Sequence, residues 1–279
     1  MSDEALHLEG EVSPVEQRVR LNNCSLRSAW GTRNVDSISG SGLLRSTFAL
    51  LDQIGGDLTS PWHHWVGTTE TSGYFEDVSG MSDNDLQQFL NRSIDTEHPE
   101  IGFIGSLYCG VRATSALSWV TVNGASIKFG LGAQGGETFG DHFALDGDWY
   151  SLGASNTLRK HAISAVKGLS RIWRPEYMSF QDRDLRSFIT KFWQDHNSGM
   201  RRWPAWGYVS FLSDQVSRNL EQNVVGASVV KFGTGWILTT DSQEPEEAAA
   251  VWQRLHERQC LRYLPANQGV EPRFPRGAD

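Results

Sequence analysis

The densest group of side chains able to hold a metal is Asp141, His142, Asp146 and Asp148, three carboxylates and an imidazole close together in the chain. An EF-hand loop alternates its oxygen ligands and closes on a glutamate, and a zinc-protease helix carries HExxH; neither spacing occurs here. The group therefore reads as a solvated acidic loop, with a metal-dependent hydrolase using the Asp141 to Asp148 region as the alternative. His63 and His64 stand side by side between Trp62 and Trp65. In a strand, neighbouring side chains point to opposite faces, so these two imidazoles cannot share one ion. No metal and no cofactor is expected.

Gly130-Leu131-Gly132-Ala133-Gln134-Gly135 satisfies GxGxxG and follows a predicted strand. A pyrophosphate site also needs a helix opening at the third glycine, so that its amides face the anion. Here Gly136, Gly140 and Gly147 follow without a helical apolar period, which reads as a glycine-rich hairpin turn. The nucleophile motif GxSxG is absent; Ser41, between Gly40 and Gly42, reads as a helix N-cap, and the lone Cys109 as a small core hydrophobe. No residue is nominated as catalytic. Among 11 tryptophans, Trp203 and Trp206, on either side of Pro204, are placed to anchor a binding surface. Exposed aromatics alone would also suit a carbohydrate-binding module.

The elements that must position these residues follow an internal near-repeat. Gly124 to Gly132 reappears as Gly226 to Gly235, Asp83 to Leu90 as Asp182 to Ile189, and Ser41 to Arg45 as Ser155 to Arg159, in the same order. Leu43, Leu44, Thr47, Phe48, Leu51 and Ile54 recur at helical spacing and stop at Gly55-Gly56; Leu158, Ala162, Ile163, Val166, Leu169 and Trp173 do so before Pro175. Short extended segments follow, Pro61-Trp62 to Val66 and Pro175 to Phe180. Asp83-Asn84-Asp85-Leu86 and Asp182-Arg183-Asp184-Leu185 then read as capped helix starts. Strand-like runs come next, at 101–108, 116–122 and 126–129, then 206–212, 224–232 and 236–240, before a last helix over 246–258. The fold class is α+β: two related modules of helices on a mostly antiparallel sheet, from an internal duplication. The boundaries are a flexible acidic N-terminus at 1–14, modules at 15–150 and 151–264, and an irregular tail at 265–279.

The chain has 279 residues, a 39% hydrophobic share and 11% aromatics, which suits a folded protein and excludes a disordered one. No apolar run is long enough to span a membrane, and the acidic start does not resemble a secretion signal. Three well-separated cysteines indicate neither a disulfide framework nor a zinc site, so a cytoplasmic location is expected. Net charge is −8 but unevenly divided. Residues 1–150 carry 8 Lys and Arg against 20 Asp and Glu, a net of −12, while 151–279 carry 17 against 13, a net of +4. An acidic half of this size repels nucleic acid and attracts a basic partner. The carboxylates Glu70, Glu76, Asp77, Asp141, Asp146 and Asp148, placed in Gly- and Ser-rich connections, are the candidate contacts, together with Trp203 and Trp206.

The run Gly207 to Leu212, then Val229-Val230 to Gly235-Trp236-Ile237-Leu238-Thr239-Thr240, then the helix from Glu246 to Leu261, resembles the closing part of the immunity protein 52 family. The Leu43 to Ile54 helix followed by Trp62 is also similar, so the resemblance spans roughly 40–262. It implies a non-catalytic bacterial antitoxin whose partner is a secreted effector, of the type VI kind, with a basic nuclease domain. A nuclease must hold a polyanion, so an acidic inhibitor gains steering and complementarity on its working face.

Overall fold

The computed structural model describes residues 24–29, 35–69, 72–94, 102–109, 111–115, 118–121, 125–131, 142–147, 155–195, 207–220 and 224–262. In chain order these form β1 (Cys24–Ala29), α1 (Ser37–Ile54), a 3-10 turn (Gly56–Leu58), β2 (His63–Thr69), β3 (Ser72–Asp77), α2 (Asp83–Arg92), β4 (Phe103–Tyr108), β5 (Val111–Ser115), β6 (Ser118–Thr121), β7 (Ser126–Leu131), β8 (His142–Gly147), α3 (Ser155–Trp173), β9 (Tyr177–Gln181), α4 (Arg183–Asp195), β10 (Val209–Ser213), β11 (Ala227–Phe232), β12 (Gly235–Thr240) and α5 (Pro245–Glu257).

Ten strands make one antiparallel sheet in the order β11-β12-β10-β9-β1-β8-β7-β4-β2-β3, and β5-β6 form a separate hairpin. The protein is thus α+β, with five α-helices among the described residues. The first strand among the described residues, β1, lies in the middle. β1 pairs with β8 on one side and β9 on the other, which joins the strands of 63–147 to those of 177–240 in a single sheet.

Alternation sorts the side chains into two faces. Leu26, Phe103, Leu107, Ile127, Phe129, Phe143, Leu145, Met178 and Phe211 line the first face and are buried. The amphipathic helices α1, α2 and α3 cover it. Trp173 of α3 packs its ring 4.7 Å from Phe143 and donates its indole N–H to Thr47 Oγ1 of α1 at 2.9 Å. At Gly168, a Cβ would lie 2.5 Å from a Leu50 methyl, so the close approach of α3 to α1 requires glycine. On the second face, α4 and α5 pack together over the β9 to β12 half. The Trp252 indole of α5 donates to the Gly207 carbonyl there, at 3.0 Å.

Two expectations change in detail. The helix α1 starts four residues before Ser41: Asp36 is its N-cap, accepting from the Ser39 amide at 2.7 Å, a bond that also holds this carboxyl below its ordinary pKa. Ser41 is inside the helix and donates to the Ile38 carbonyl. Packing overrides the low helix propensity of Gly40 and Gly42, because Gly40 sits against Leu90 of α2. At α2, the cap is Ser82, whose Oγ accepts from the Asp85 amide, whereas α4 is capped by Asp182, which accepts from the Leu185 amide. The caps therefore align one residue away from the Asp83 to Asp182 match. Leu86 of α2 and Leu185 of α4 are both buried, but Phe89 is buried and Phe188 is exposed, and the two helices lie on opposite faces of the sheet.

Candidate functional site

The acidic segment said to be a loop contains β8. Asp146 lies within that strand, and Glu76 and Asp77 lie at the end of β3, so none of the three is in a Gly- and Ser-rich connection. Long-range pairing supplies the reason: β8 lies between β1 and β7, and its Phe143 and Leu145 fill the first face. Glu70, Asp141, Asp148, Trp203 and Trp206 lie outside the described residues.

Each of the three described carboxylates has an internal partner. Glu76 faces Arg92 of α2 at 3.5 Å. Asp77 Oδ1 accepts from Ser79 Oγ at 2.9 Å and from the Gly80 amide at 3.0 Å, which closes the turn before α2. That turn is held from the other side by Arg45 of α1, which donates to the Ser79 and Met81 carbonyls and to Asp83. Asp146 accepts from Arg27 Nη2 at 2.8 and 3.0 Å.

Register places Asp77, His63, Tyr108, Ser126, Asp146, Ser25 and Gln181 opposite one another in successive strands, a polar row across the second face. Asp77 beside His63 invites a general-base reading. However, Asp77 is committed to its turn, and Ser126 is two strands from His63, about 10 Å, which is beyond proton-transfer reach. His64 points the other way, as alternation predicts: it meets Phe89 edge-on at 5.2 Å, while His63 meets Phe75 at 6.2 Å. Among the described residues, no group of three or more His, Cys, Asp and Glu side chains could hold a metal ion. Gly130 is a mid-strand residue opposite His142, whose ring would lie 2.9 Å from an added Cβ, so the start of the GxGxxG run is sheet.

Two features of the second face stand out. The first is an aromatic cluster at its β3-β2-β4 end. Trp65 and Phe75 meet edge-on at 5.0 Å, and Phe75 meets Tyr108 at 6.3 Å; all are only half-buried and lie on the face opposite to that of Leu107 and His64, which α2 covers. The second is a charged network at the centre, where α4 leaves the sheet. Arg186 of α4 donates to Ser25 Oγ, next to Arg27 and Asp146. Burial, then the proximity of Arg27, push the Arg186 guanidinium below its ordinary pKa, and Asp146 and Asp182 oppose that. Asp182 Oδ2 accepts from the Tyr208 hydroxyl at 2.9 Å; burial, then this carboxylate, push the Tyr208 phenol far up. The cluster was missed in sequence because Trp65, Phe75 and Tyr108 meet only through strand pairing.

No known family model matches the chain, and no curated protein matches it. No described helix is long and apolar enough to cross a membrane.

Proposed function

We propose that this protein is a cytoplasmic immunity protein that binds a secreted nuclease-type toxin and neutralises it by protein–protein contact, without catalysis. The observation that carries the reading is the half-buried aromatic cluster of Trp65, Phe75 and Tyr108 at the β3-β2-β4 end of the second face, away from the half that α4 and α5 cover. Trp and Tyr dominate binding energy at protein interfaces, because they bring large apolar area at low entropic cost. The net charge of −12 over residues 1–150 supports a basic partner. In this reading Asp77 and Asp146 act at the rim, on association rate and salt dependence, with Glu70, Asp141, Asp148, Trp203 and Trp206 as further contacts, whereas Glu76, opposite His64, lies on the first face.

The resemblance to the immunity protein 52 family points to the type VI secretion class of effector. A duplicated origin of the two halves belongs to the same proposal. Arg45 and Arg159, matched in sequence, each reach from a helix to two backbone carbonyls, but Arg45 does so ahead of α2 and Arg159 ahead of α5, which is not the helix that the Asp83 to Asp182 match pairs with α2, so the support for it is the ordered sequence matches.

The test is co-expression with the protein encoded by the adjacent gene, followed by pull-down and a growth-rescue assay. Rescue together with a stoichiometric complex is the expected result. A toxic neighbour that is neither bound nor neutralised contradicts it.

A further inference from the structure

We propose that the outer edge of β11 takes an extended, carboxylate-bearing segment of a partner protein as a further strand of the sheet. This surface lies at the opposite end of the sheet from the aromatic cluster and does not depend on the reading above.

The backbone supplies the first half of the argument. β11 has β12 on one side and no described strand on the other, and it pairs in unbroken register from Ala227 opposite Thr240 to Phe232 opposite Gly235. The Asp241 amide donates to the Gly226 carbonyl, so Ser228, Val230 and Phe232 bond to β12. The amides of Val229 and Lys231 and the carbonyls of Ala227, Val229 and Lys231 then point outward. Edge strands are ordinarily blunted by a bulge or a charge. The other edge strand, β3, meets β2 through a register shift between Gly67 and Thr69. β11 has no such shift, and its one lysine is drawn back over the sheet: Lys231 Nζ lies 4.8 Å from the Trp236 ring centroid and donates to both Asp214 oxygens at 2.6 and 2.7 Å. Val230, on the other face, is 54% exposed.

The side chains beside the edge set the chemistry. Val230 is opposite Ile237 and Ile237 opposite Phe211, so Ser228, Val230 and Phe232 belong to the first face. The helix α3 runs along that face. Near its start Arg159 donates to the Thr240 and Asp241 carbonyls, level with Ala227; near its end Lys167 and Arg171 lie over the Phe232 ring at 5.8 and 4.7 Å. α3 contains no Asp or Glu, and Lys160, Lys167 and Arg171, spaced to share one side of it, make no ion pair with a described residue. Carboxylates therefore suit the incoming strand opposite Ser228, Val230 and Phe232, while its residues opposite Val229 and Lys231 make the main-chain hydrogen bonds. A second copy of β11 is a poorer occupant, because two-fold pairing brings two cationic α3 helices to the same side of the joint. A nucleic acid has no row of amides and carbonyls to match the edge, and the net charge of −8 repels it.

The probe is a fluorescein-labelled, amidated heptapeptide, threonine-glutamate-valine-glutamate-valine-glutamate-threonine, whose dissociation constant from the full chain is read by fluorescence anisotropy. Antiparallel to β11 with its glutamates on the first face, it bonds to the edge through its valine amides. N-methylation of both valines is expected to weaken binding by about tenfold or more, and N-methylation of the glutamates to change it little. Arg171→Glu, folded by circular dichroism, should weaken it by about tenfold, and Trp65→Ala should leave it unchanged. No binding, equal binding of the valine-methylated peptide, or equal binding of a peptide with lysine in place of glutamate overturns the proposal. So does oligouridylate that displaces the peptide while N-methylation has no effect, which marks a nucleic-acid surface. A dimer in sedimentation that Val230→Lys abolishes gives the edge to a second copy and overturns it as well.

Discussion

Asp146 shows how partners change the meaning of a residue. Read along the chain, it belongs to an acidic run; in three dimensions it answers Arg27, 119 positions away, and sits beside Arg186. Its side chain is 29% exposed and that of Arg27 34%, so the pair falls between surface and buried cases. Asp146→Ala should cost about 1–3 kcal/mol by urea unfolding, less than a fully buried pair and more than an exposed one. Adding Arg27→Ala should cost much less than the sum of the single changes, as a double-mutant cycle would show. Tyr208 gives a pH-dependent counterpart. Its phenol is raised in the folded state, so the unfolded chain ionises first as pH rises through about 10. The unfolded state then binds fewer protons, and stability is full below that pH and lost above it, by up to about 1.4 kcal/mol per pH unit. Tyr208→Phe should flatten that alkaline slope in denaturation measured across pH 9 to about 11.5.

Elements with a local signature were legible, and those defined by partners were not. The stripes of α1 and α3, the stop at Gly55 with its positive φ of 87°, and the strands β4, β7, β10, β11 and β12 all follow from spacing and turn chemistry. β1, β3, β5 and β8 are mixed in polarity, and β1 and β8 become strands because they complete the middle of the sheet. Two glycines separate local from tertiary control. Gly42 is exposed inside α1, and a Cβ there meets nothing within 4 Å, so Gly42→Ala should stabilise by about 0.5–1 kcal/mol. Gly105 of β4 lies under the Phe129 ring, where a Cβ would be 2.2 Å from Cζ of a fully buried side chain. Gly105→Ala should therefore destabilise by about 1–3 kcal/mol. Opposite shifts in thermal melting midpoint are the check.

At the scale of the whole molecule, β1 ties the two halves together. Its Leu26 is fully buried between strands drawn from both sides of the sequence. Unfolding should accordingly be one cooperative transition, and Leu26→Ala should lower it intact by about 2–5 kcal/mol. Two resolved transitions by calorimetry would mean that the halves fold separately. The α+β class was readable from the order of elements, but the placing of β1 at the centre was not, since no local pattern specifies a neighbour more than 100 residues away. The candidate site shares that property. Its aromatic and charged parts come from β1, β2, β3, β4, β7, β8 and α4 and become one face only when the sheet is assembled. The central claim is that this face binds the toxin, and the dissociation constant of Trp65→Ala against the toxin encoded by the adjacent gene tests it most directly. Loss of a half-buried anchor of this kind predicts binding weaker by about 30-fold with the circular dichroism spectrum unchanged. An unchanged constant in a folded variant would contradict the account.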